Sequence, residues 1–433
     1  MAVSEPVQLL SAPPVGTDGK GARWKRWCSG PVRCRLPEGG VTAGLAVVVI
    51  GFRAQKGLVD AVASLLAQET VPEIVVVNSG GGDAGALLER FAGRIGIIDV
   101  AQPLRAGAAR NIGIDASSAP YVAFLAGDCR AADGWVAARL AAHEKGARAV
   151  ASAIAVPGQE NAAALAAHLT LFGLRSPQMR PPQALRYGVS YARSVFGELG
   201  YFNVALRIAE DTDFAQRLGR SLPAAWVPAI RTIHRNPRTA VALAGDMFGR
   251  GRRAARRNGA NTSIKTVIGD ARQRAGAALR IGRDALGFDG GTLRRTRPYV
   301  ALASLAYALG LARGAARLAR GQNLFERAEE ADRAGRGERA IALFEAAVAL
   351  DPESVWFRLH CADAHRRQGS DGAAAHIRQA IALSAYRSAN ARRLAAWLAE
   401  RQLHSYGAEL AELVGYTLPF ERELRMGSES ASS

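Results

Sequence analysis

The sequence is poor in cysteine, and the cysteines that it has do not form a recognisable framework. Its four cysteines are Cys28, Cys34, Cys129 and Cys361. Their scattered positions argue against a set of structural disulfides, and the spacing of the first two fits no zinc-finger pattern. A reducing cytoplasm is therefore the expected compartment.

Long apolar runs are also missing. The longest uncharged apolar stretch covers residues 298–312, between Arg297 and Arg313, whereas a membrane-spanning helix needs about 20 residues. Residues 7–14 lack the apolar core of a signal peptide. We therefore expect a cytoplasmic protein. The basic segment 231–320 adds the expectation that this protein contacts the inner face of the cytoplasmic membrane.

Acidic residues are scarce in one segment. Residues 231–320 contain 19 Lys and Arg against four Asp and no Glu, so this segment supplies most of the net charge of +18. Such a surplus indicates a nucleic acid, an anionic membrane or an acidic ligand. Aromatic residues are few in the segment and it has no helix-turn-helix, RNP or zinc motif, so no nucleic acid is expected.

The basic segment contains an apolar helix over Pro298–Gly310, with a tyrosine near each end and arginines at its flanks. This combination is typical of a helix that lies in a membrane interface. It predicts peripheral membrane contact. The alternative is a buried helix of a soluble domain with a solvated basic face.

The chain length predicts two or three domains. Residues 1–43 are rich in Pro, Gly and Arg without periodicity and are predicted to form a flexible arm. The expected units that follow are an α/β domain over 44–240, a basic helical region over 241–320, helical repeats over 321–420 and a flexible tail over 421–433.

The α/β prediction rests on an alternation of apolar strands and amphipathic helices. Strands are predicted over 45–50, 73–77, 95–100 and 121–125, and helices over 58–67, 84–91 and 106–116. This order indicates a Rossmann-like, mostly parallel sheet, which binds ligands at the carboxyl ends of its strands. Phe52, Arg53, Asn78 and Asp128 all follow such strands.

The C-terminal region has a repeated apolar pattern. Ala340, Phe344 and Ala347 recur 33 residues later as Ala373, Ile377 and Ala380. The pattern resembles tetratricopeptide repeats, whose period is about 34 residues. Such repeats predict docking of a protein partner or of the molecule on which the α/β domain acts. An ordinary helical cap is the alternative. The histidines of this region, His360, His365 and His376, are interpreted as surface or core residues without metal-ligating partners.

Two segments carry a family resemblance. Residues 109–113 (Ala-Arg-Asn-Ile-Gly) lead into the strand 121–128, which ends at Asp128, and the glycine-rich turn 197–200 precedes Glu210 and Asp211. This order resembles family 2 glycosyltransferases of the GT-A fold, over residues 44–240. The resemblance implies an inverting transferase that moves a sugar from a nucleotide-sugar donor, with UDP favoured, to a hydroxyl of a cell-envelope glycan or a lipid-linked acceptor.

The resemblance also implies a divalent cation, Mg²⁺ or Mn²⁺. Asp128 falls on the second aspartate of the family's Asp-x-Asp motif, and Ala126 replaces the first. A carboxylate at a strand end suits such a hard cation. His234 follows a strand-like stretch and is a second candidate ligand for the metal or the diphosphate. A turn-forming aspartate and a structural histidine are the alternatives.

Asp211 matches the general base of the family, and Glu210 its neighbour at the acceptor site. Capping of the helix that begins there is the alternative, because acidic residues are common in the first turn of a helix.

The nucleotide site is matched less closely. Residues 51–54 (Gly-Phe-Arg-Ala) replace the family's Pro-x-Tyr-Asn, which makes Phe52 and Arg53 candidate nucleotide contacts. Asn78 replaces an aspartate that contacts the base, and its amide can still bind a pyrimidine edge. Arg110 either reaches a phosphate or braces the loop that carries Asp128.

A rival hypothesis is a non-catalytic, degenerate transferase domain that acts as a binding scaffold through its helical repeats. Ala126, Asn78 and Gly51 favour it. The presence of Asp128 together with Glu210 and Asp211 argues against it.

Overall fold

The computed structural model describes residues 23–28, 30–37, 43–156, 158, 160–181, 187–219, 222–258 and 263–417. The predicted C-terminal tail, 421–433, and most of the predicted N-terminal arm lie outside these residues.

Nine strands of the described chain form one mixed sheet in the order β1-β4-β3-β2-β5-β8-β7-β9-β6. They are β1 Val32–Arg35, β2 Leu45–Phe52, β3 Glu73–Ser79, β4 Gly96–Val100, β5 Tyr121–Ala126, β6 Cys129–Ala131, β7 Ala149–Ala155, β8 Tyr187–Ala192 and β9 Ala225–His234. The pairs β2–β3, β2–β5 and β3–β4 are parallel, as are β7 and β9.

Seven helices accompany the sheet, and eight follow it. They are α1 Gly57–Leu66, α2 Ala84–Leu87, α3 Ala106–Ala116, α4 Trp135–Glu144, α5 Ala162–Phe172, α6 Ser194–Leu199, α7 Glu210–Leu218, α8 Ala240–Asn258, α9 Ile264–Asp284, α10 Gly290–Arg333, α11 Gly337–Leu350, α12 Val355–Arg367, α13 Ala373–Ser384, α14 Ser388–Glu400 and α15 His404–Thr417. After β9 the described chain contains helices and connecting loops and no strand.

The sheet core confirms the predicted α/β class. The four predicted strands are β2 to β5, and β2 and β3 bury nearly every residue because helices cover both faces. Strand β2 lies between β3 and β5, so the carboxyl ends of these strands share one edge. The topology therefore gathers the candidate residues that follow β2, β3 and β5.

The described part of the predicted arm is folded onto the domain, which corrects that prediction for residues 23–28 and 30–37. Trp24 and Trp27 are buried, and the Trp27 indole donates to Asp115 Oδ2 at 2.6 Å. Arg26 forms an ion pair with the same carboxylate. Strand β1 adds antiparallel to β4 at the edge of the sheet. Burial of two indoles stabilises this packing. The segment has no periodic apolar pattern, so this burial was not predicted.

One helix crosses the boundary predicted between residues 320 and 321. Helix α10 continues to Arg333, so no break separates the basic region from the helices that follow. It packs closely on α8, because a Cβ at Gly251 would overlap the backbone of Tyr307, and one at Gly310 that of Phe248. Backbone contact of this kind requires glycine.

Helix α10 is also the one described helix that is long and apolar enough to span a membrane, with 39% of its apolar window buried. Val300 and Ala303 are among the residues that face the interior. A core helix passes the same test, so this helix is weak support for a membrane contact.

Candidate active site

Asp128 and His234 lie together at the carboxyl end of β5. Strand β6 pairs antiparallel with β9 so that Cys129 is opposite His234. This register brings His234 Nε2 to 3.4 Å from Asp128 Oδ2. Asp128 is half-exposed and His234 is buried, so the pair has one side open to solvent. The structure thus brings together two residues that are 106 positions apart in the sequence.

Asn236 orients the imidazole. His234 Nδ1 lies 3.0 Å from Asn236 Oδ1, and both residues are buried. With a proton on Nδ1 donated to this oxygen, Nε2 faces Asp128, and a cation bound there would take the place of the Nε2 proton of the charged imidazole. A partner of this kind commonly fixes the tautomer of a metal-binding histidine. Asn236 was not among the predicted site residues, although its position two residues after His234 is visible in the sequence.

The charge state of the cluster suits a cation. Burial opposes ionisation of Asp128, but the hydrogen bond and charge of His234 outweigh it, so the pKa of Asp128 lies below its usual value. Burial and the Asp128 charge hold the pKa of the neighbouring Cys129 thiol well above its usual value. The Asp128 carboxylate and the His234 imidazole are the oxygen and nitrogen donors of this cluster, and the Cys129 thiol lies beside them. The carboxylate oxygen of this set fits Mg²⁺ or Mn²⁺.

Two glycines allow the loop with Asp128 to lie against the start of α1. A Cβ at Gly57 would overlap the Gly127 carbonyl oxygen, and one at Gly127 would lie 3.0 Å from the Ile50 oxygen. The Gly127 N–H donates to the same Ile50 oxygen at 2.9 Å. The close approach fixes the end of β5 relative to β2 and so places Asp128.

Glu210 is paired with an arginine in this structure. It is buried at the start of α7 and forms an ion pair with Arg110 of α3. The Arg110 guanidinium also lies over the rings of Phe124 and Phe202, at 5.6 and 5.1 Å. Because Phe124 belongs to β5, Arg110 ties the start of α7 to the strand that leads to Asp128. This pairing favours a bracing role for both residues, and the expected role of Glu210 at the acceptor site stays a prediction.

Asp211 remains the more accessible of the two acids. Among the described residues, the hydrogen bonds of its carboxylate are from the Thr212 N–H at 2.7 Å and the Thr212 hydroxyl at 3.3 Å, both to Oδ1. Ala209, just before α7, has a φ of 65°, which is rare for alanine. Backbone strain of this kind concentrates at functional sites.

Asn78 holds a turn, and its amide is fully used inside the protein. Its Oδ1 accepts from the Ala54 N–H at 2.9 Å, and its Nδ2 donates to the Gly81 carbonyl and to Asp99 Oδ1. The side chain is completely buried. The expected contact between Asn78 and a pyrimidine is therefore corrected. Asp99, which sequence reasoning missed, anchors this network through a second bond from the Ala84 N–H.

Phe52 and Arg53 lie where β2 ends and are open to solvent. Phe52 is 45% exposed, and the Arg53 guanidinium lies 5.1 Å from the centre of its ring. Arg53 and Ala54 both have positive φ, at 54° and 46°. The strained turn, held by Asn78, presents a flat apolar ring and a cation at the carboxyl edge of the sheet.

The C-terminal helices hold α7 in place. Arg387, between α13 and α14, donates to Asp213 Oδ1 and to Gln216 Oε1. Arg217 pairs with the other Asp213 oxygen and donates to the carbonyls of Leu199 and Tyr201, at 2.7 Å each. The helix that carries Asp211 is therefore fixed both to the glycine-rich turn before it and to the helical region.

The loop that leads into α7 is held by the same region. The Arg207 N–H donates to Glu353 Oε1 at 3.0 Å. Val204 packs against the apolar cluster of the C-terminal helices. These contacts show that the helical region is a structural neighbour of the candidate site.

Comparison with known proteins supports the assignment of the N-terminal domain. The family model described as Glycosyl transferase family 2 matches residues 46–196. These residues include β2 to β8 and Asp128, and they end before Glu210, Asp211 and His234. No curated protein matches the chain at a significant level.

The chain is also similar to two crystal structures of residues 1–349 of TarS from S. aureus. For the first, the identity is 14%, the match covers 64% of this chain and 91% of TarS 1–349, and the TM-score is 0.34. The second is the complex with UDP-GlcNAc, with 13% identity, coverage of 64% and 92%, and a TM-score of 0.35. Values this low carry no inference about activity.

Proposed function

This chain contains a family 2 glycosyltransferase domain, and from that premise we propose that it transfers a sugar from a nucleotide-sugar donor to an acceptor hydroxyl with inversion at the anomeric carbon. The observation that carries the proposal is the Asp128–His234 pair, which the β6–β9 register places at the carboxyl end of β5. Ligands of open α/β sheets bind at this edge.

Asp128 and His234 would hold Mg²⁺ or Mn²⁺. A bound cation of this kind would neutralise the diphosphate leaving group of the donor. Asn236 would keep the His234 lone pair pointed at the site. Phe52 and Arg53 would contact the nucleotide, since an exposed ring can stack on a base and the guanidinium can pair with a phosphate. UDP is the favoured nucleotide.

Asp211 would act as the general base. It would take the proton of the acceptor hydroxyl as that oxygen attacks the anomeric carbon and the nucleoside diphosphate leaves. Arg110, Glu210 and Arg387 would position α7 without touching the reacting atoms. A single displacement of this kind inverts the anomeric configuration.

Titration calorimetry with UDP and with GDP, with and without Mn²⁺, tests the donor site. We expect Mn²⁺-dependent binding of one nucleotide to the wild type and its loss in Asp128→Ala. Asp284→Ala is the matched control, because Asp284 is an exposed carboxylate in α9 that pairs with Arg283. No binding to the folded wild type, or equal binding to Asp128→Ala, would contradict the proposed site.

The acceptor would be a cell-envelope glycan or a lipid-linked saccharide at the inner face of the cytoplasmic membrane, with the C-terminal helices available to a protein partner. Five of the ten exposed large apolar residues of the described chain lie in α8 to α10: Val241, Phe248, Ile268, Leu305 and Leu309. Leu305 and Leu309 are one helical turn apart and so share a face. Arg297 and Arg313 flank the apolar segment 298–312 of α10, and each arginine contributes about 1 kcal/mol at an anionic surface.

Co-sedimentation with vesicles tests the membrane contact. We expect binding to vesicles that contain anionic lipid and a clear loss of binding in Leu305→Glu/Leu309→Glu. Trp356→Ala is the control, since Trp356 is exposed but lies in α12. Equal sedimentation of the double variant and the wild type would argue against this surface.

A further inference from the structure

Four metal-ligating side chains meet among the C-terminal helices, away from the candidate active site. Glu345 comes from α11, Cys361 and His365 from α12, and His376 from α13, and their ligand atoms all lie within 4.8 Å of one another. Cys361 and His365 are four residues apart and therefore project from the same face of α12. Nothing in the transferase mechanism uses this cluster.

Three of the six distances between ligand atoms in the cluster are slightly shorter than those of a tetrahedral site, and the others are at most 4.8 Å. Glu345 Oε1 lies 2.9 Å from His376 Nε2 and 3.1 Å from His365 Nε2, and Cys361 Sγ lies 3.4 Å from His376 Nε2. Bond lengths of about 2.0–2.1 Å for nitrogen and oxygen and about 2.3 Å for sulfur place tetrahedral zinc ligands about 3.3 to 3.6 Å apart. Small side-chain shifts would reach this spacing.

The hydrogen bonds around His365 favour a ring that presents a lone pair to the cluster. Ser370 Oγ lies 2.7 Å from His365 Nδ1 and 3.2 Å from the His365 carbonyl oxygen. A hydroxyl that donates its one hydrogen to the carbonyl must accept from Nδ1–H. Nε2 lies 3.1 Å from Glu345 Oε1, and in the neutral ring it presents a lone pair, so that a cation bound between these two atoms would take the place of the imidazolium proton.

Burial and access also fit a metal site. Cys361 is fully buried, and His365 and His376 are nearly so, whereas the Glu345 side chain is 46% exposed. Glu345 therefore lies between the cluster and solvent, which provides an entry path. A Cβ at Gly372 would overlap the His365 ring, so glycine at this position makes room for the imidazole.

We propose that Glu345, Cys361, His365 and His376 bind one Zn²⁺ ion as a structural site that fastens α11, α12 and α13 together. One carboxylate, one thiolate and two imidazoles complete the four-coordinate set that zinc prefers in closed sites. The thiolate disfavours Mg²⁺ and Mn²⁺ here. This site corrects the expectation that His365 and His376 lack metal-ligating partners. His360 stays outside the cluster.

Zinc binding would release a proton. Coordination through Sγ forms the Zn–S bond and breaks the S–H bond, and the proton goes to solvent. Zinc would also support the segment between α13 and α14 that carries Arg387, and so the position of α7.

Metal analysis of the full chain tests the site. After removal of metal by a chelator, the protein is loaded with Co²⁺ as a spectroscopic substitute for zinc, and in parallel with Zn²⁺. We expect one equivalent of Zn²⁺ bound, a cobalt spectrum of a tetrahedral site with a thiolate charge-transfer band, and a higher melting temperature that a chelator reverses.

The variants separate this site from the transferase site. Cys361→Ser and His376→Gln are expected to lose the thiolate band and the zinc-dependent rise in melting temperature. Asp128→Ala and the neighbouring His360→Gln are expected to keep both. Absence of zinc and of a cobalt spectrum in the folded wild type overturns the proposal. Retention of the thiolate band in Cys361→Ser, or loss of this band in Asp128→Ala, also overturns the proposal. The melting curve without metal reports whether each variant folds.

Discussion

Arg387 binds the Asp213 carboxylate through two nitrogens, at 2.9 and 2.8 Å, and Asp213 lies two residues after the candidate base Asp211 in α7. Asp213 is buried and Arg387 is half-exposed. The contact joins residues 174 positions apart and connects the C-terminal helices to the helix that carries Asp211. We therefore infer that the helical region contributes to catalysis by fixing α7.

Arg387→Ala is expected to lower kcat several-fold and leave the affinity for the nucleotide unchanged. The cost in folding free energy should be only about 1 kcal/mol, because Asp213 keeps Arg217 and a half-exposed pair is screened by solvent. Arg387→Lys should restore part of the activity. Steady-state kinetics and calorimetry measure both effects. Arg378→Ala is the control, since Arg378 pairs with Glu409 within the helical region; an equal loss of kcat in that variant would refute the positioning role.

Asp211→Asn is expected to reduce kcat by about 100-fold or more, the usual contribution of a general base. Donor binding should persist because Asp211 does not contact the Asp128–His234 pair. Thr212→Val removes one hydrogen bond to the Asp211 carboxylate and is the milder comparison. Activity of Asp211→Asn close to that of the wild type would assign the base to another residue.

Asn236→Leu is expected to weaken Mn²⁺-dependent nucleotide binding by about 10- to 100-fold, as loss of an orienting partner does at other metal-binding histidines. The imidazole would lose the acceptor that fixes its tautomer. Calorimetry at fixed nucleotide and varied Mn²⁺ measures the change. Arg235→Ala serves as the control, because its side chain is exposed and pairs with Asp60 at the surface. Unaltered Mn²⁺ dependence in Asn236→Leu would remove His234 from the ligand set.

The burial of His143 predicts that the free energy of unfolding decreases in acid. Burial lowers its pKa to about 4, while the ordinary value is about 6.5. Between these values the unfolded chain binds more protons, so the free energy of unfolding falls as the pH is lowered, by at most about 3 kcal/mol from this group.

Urea unfolding between pH 7 and 4 measures this dependence. His143→Gln should reduce the slope without abolishing it, because burial also lowers the pKa of His168 to about 4. His404→Gln, at an exposed position, should leave the slope unchanged. A steeper slope in His143→Gln would contradict the assignment.

The local pattern of the chain was sufficient for the first strands of the α/β domain, β2 to β5, and for helices α1 and α3 between them. Continuous Val and Ile runs gave β2 and β3, and α3 has the predicted bounds, because burial on both faces of a parallel sheet demands unbroken apolar runs. The topology rule then placed Asp128, Phe52 and Asn78 at one edge. The same reasoning could not assign Trp24 and Trp27, since their burial depends on a pocket made by distant residues.

The sequence by itself determined the fold class and the resemblance of the N-terminal domain to family 2 glycosyltransferases, and it supplied Asp128, Asp211 and His234 as candidates. Only the tertiary structure decided what each polar side chain contacts. It placed Glu210 against Arg110, used up the amide of Asn78, and joined Glu345 to Cys361 and two histidines. Periodicity reports which face of an element is buried, whereas hydrogen bonds and metal ligation depend on distances between elements that are far apart in the chain.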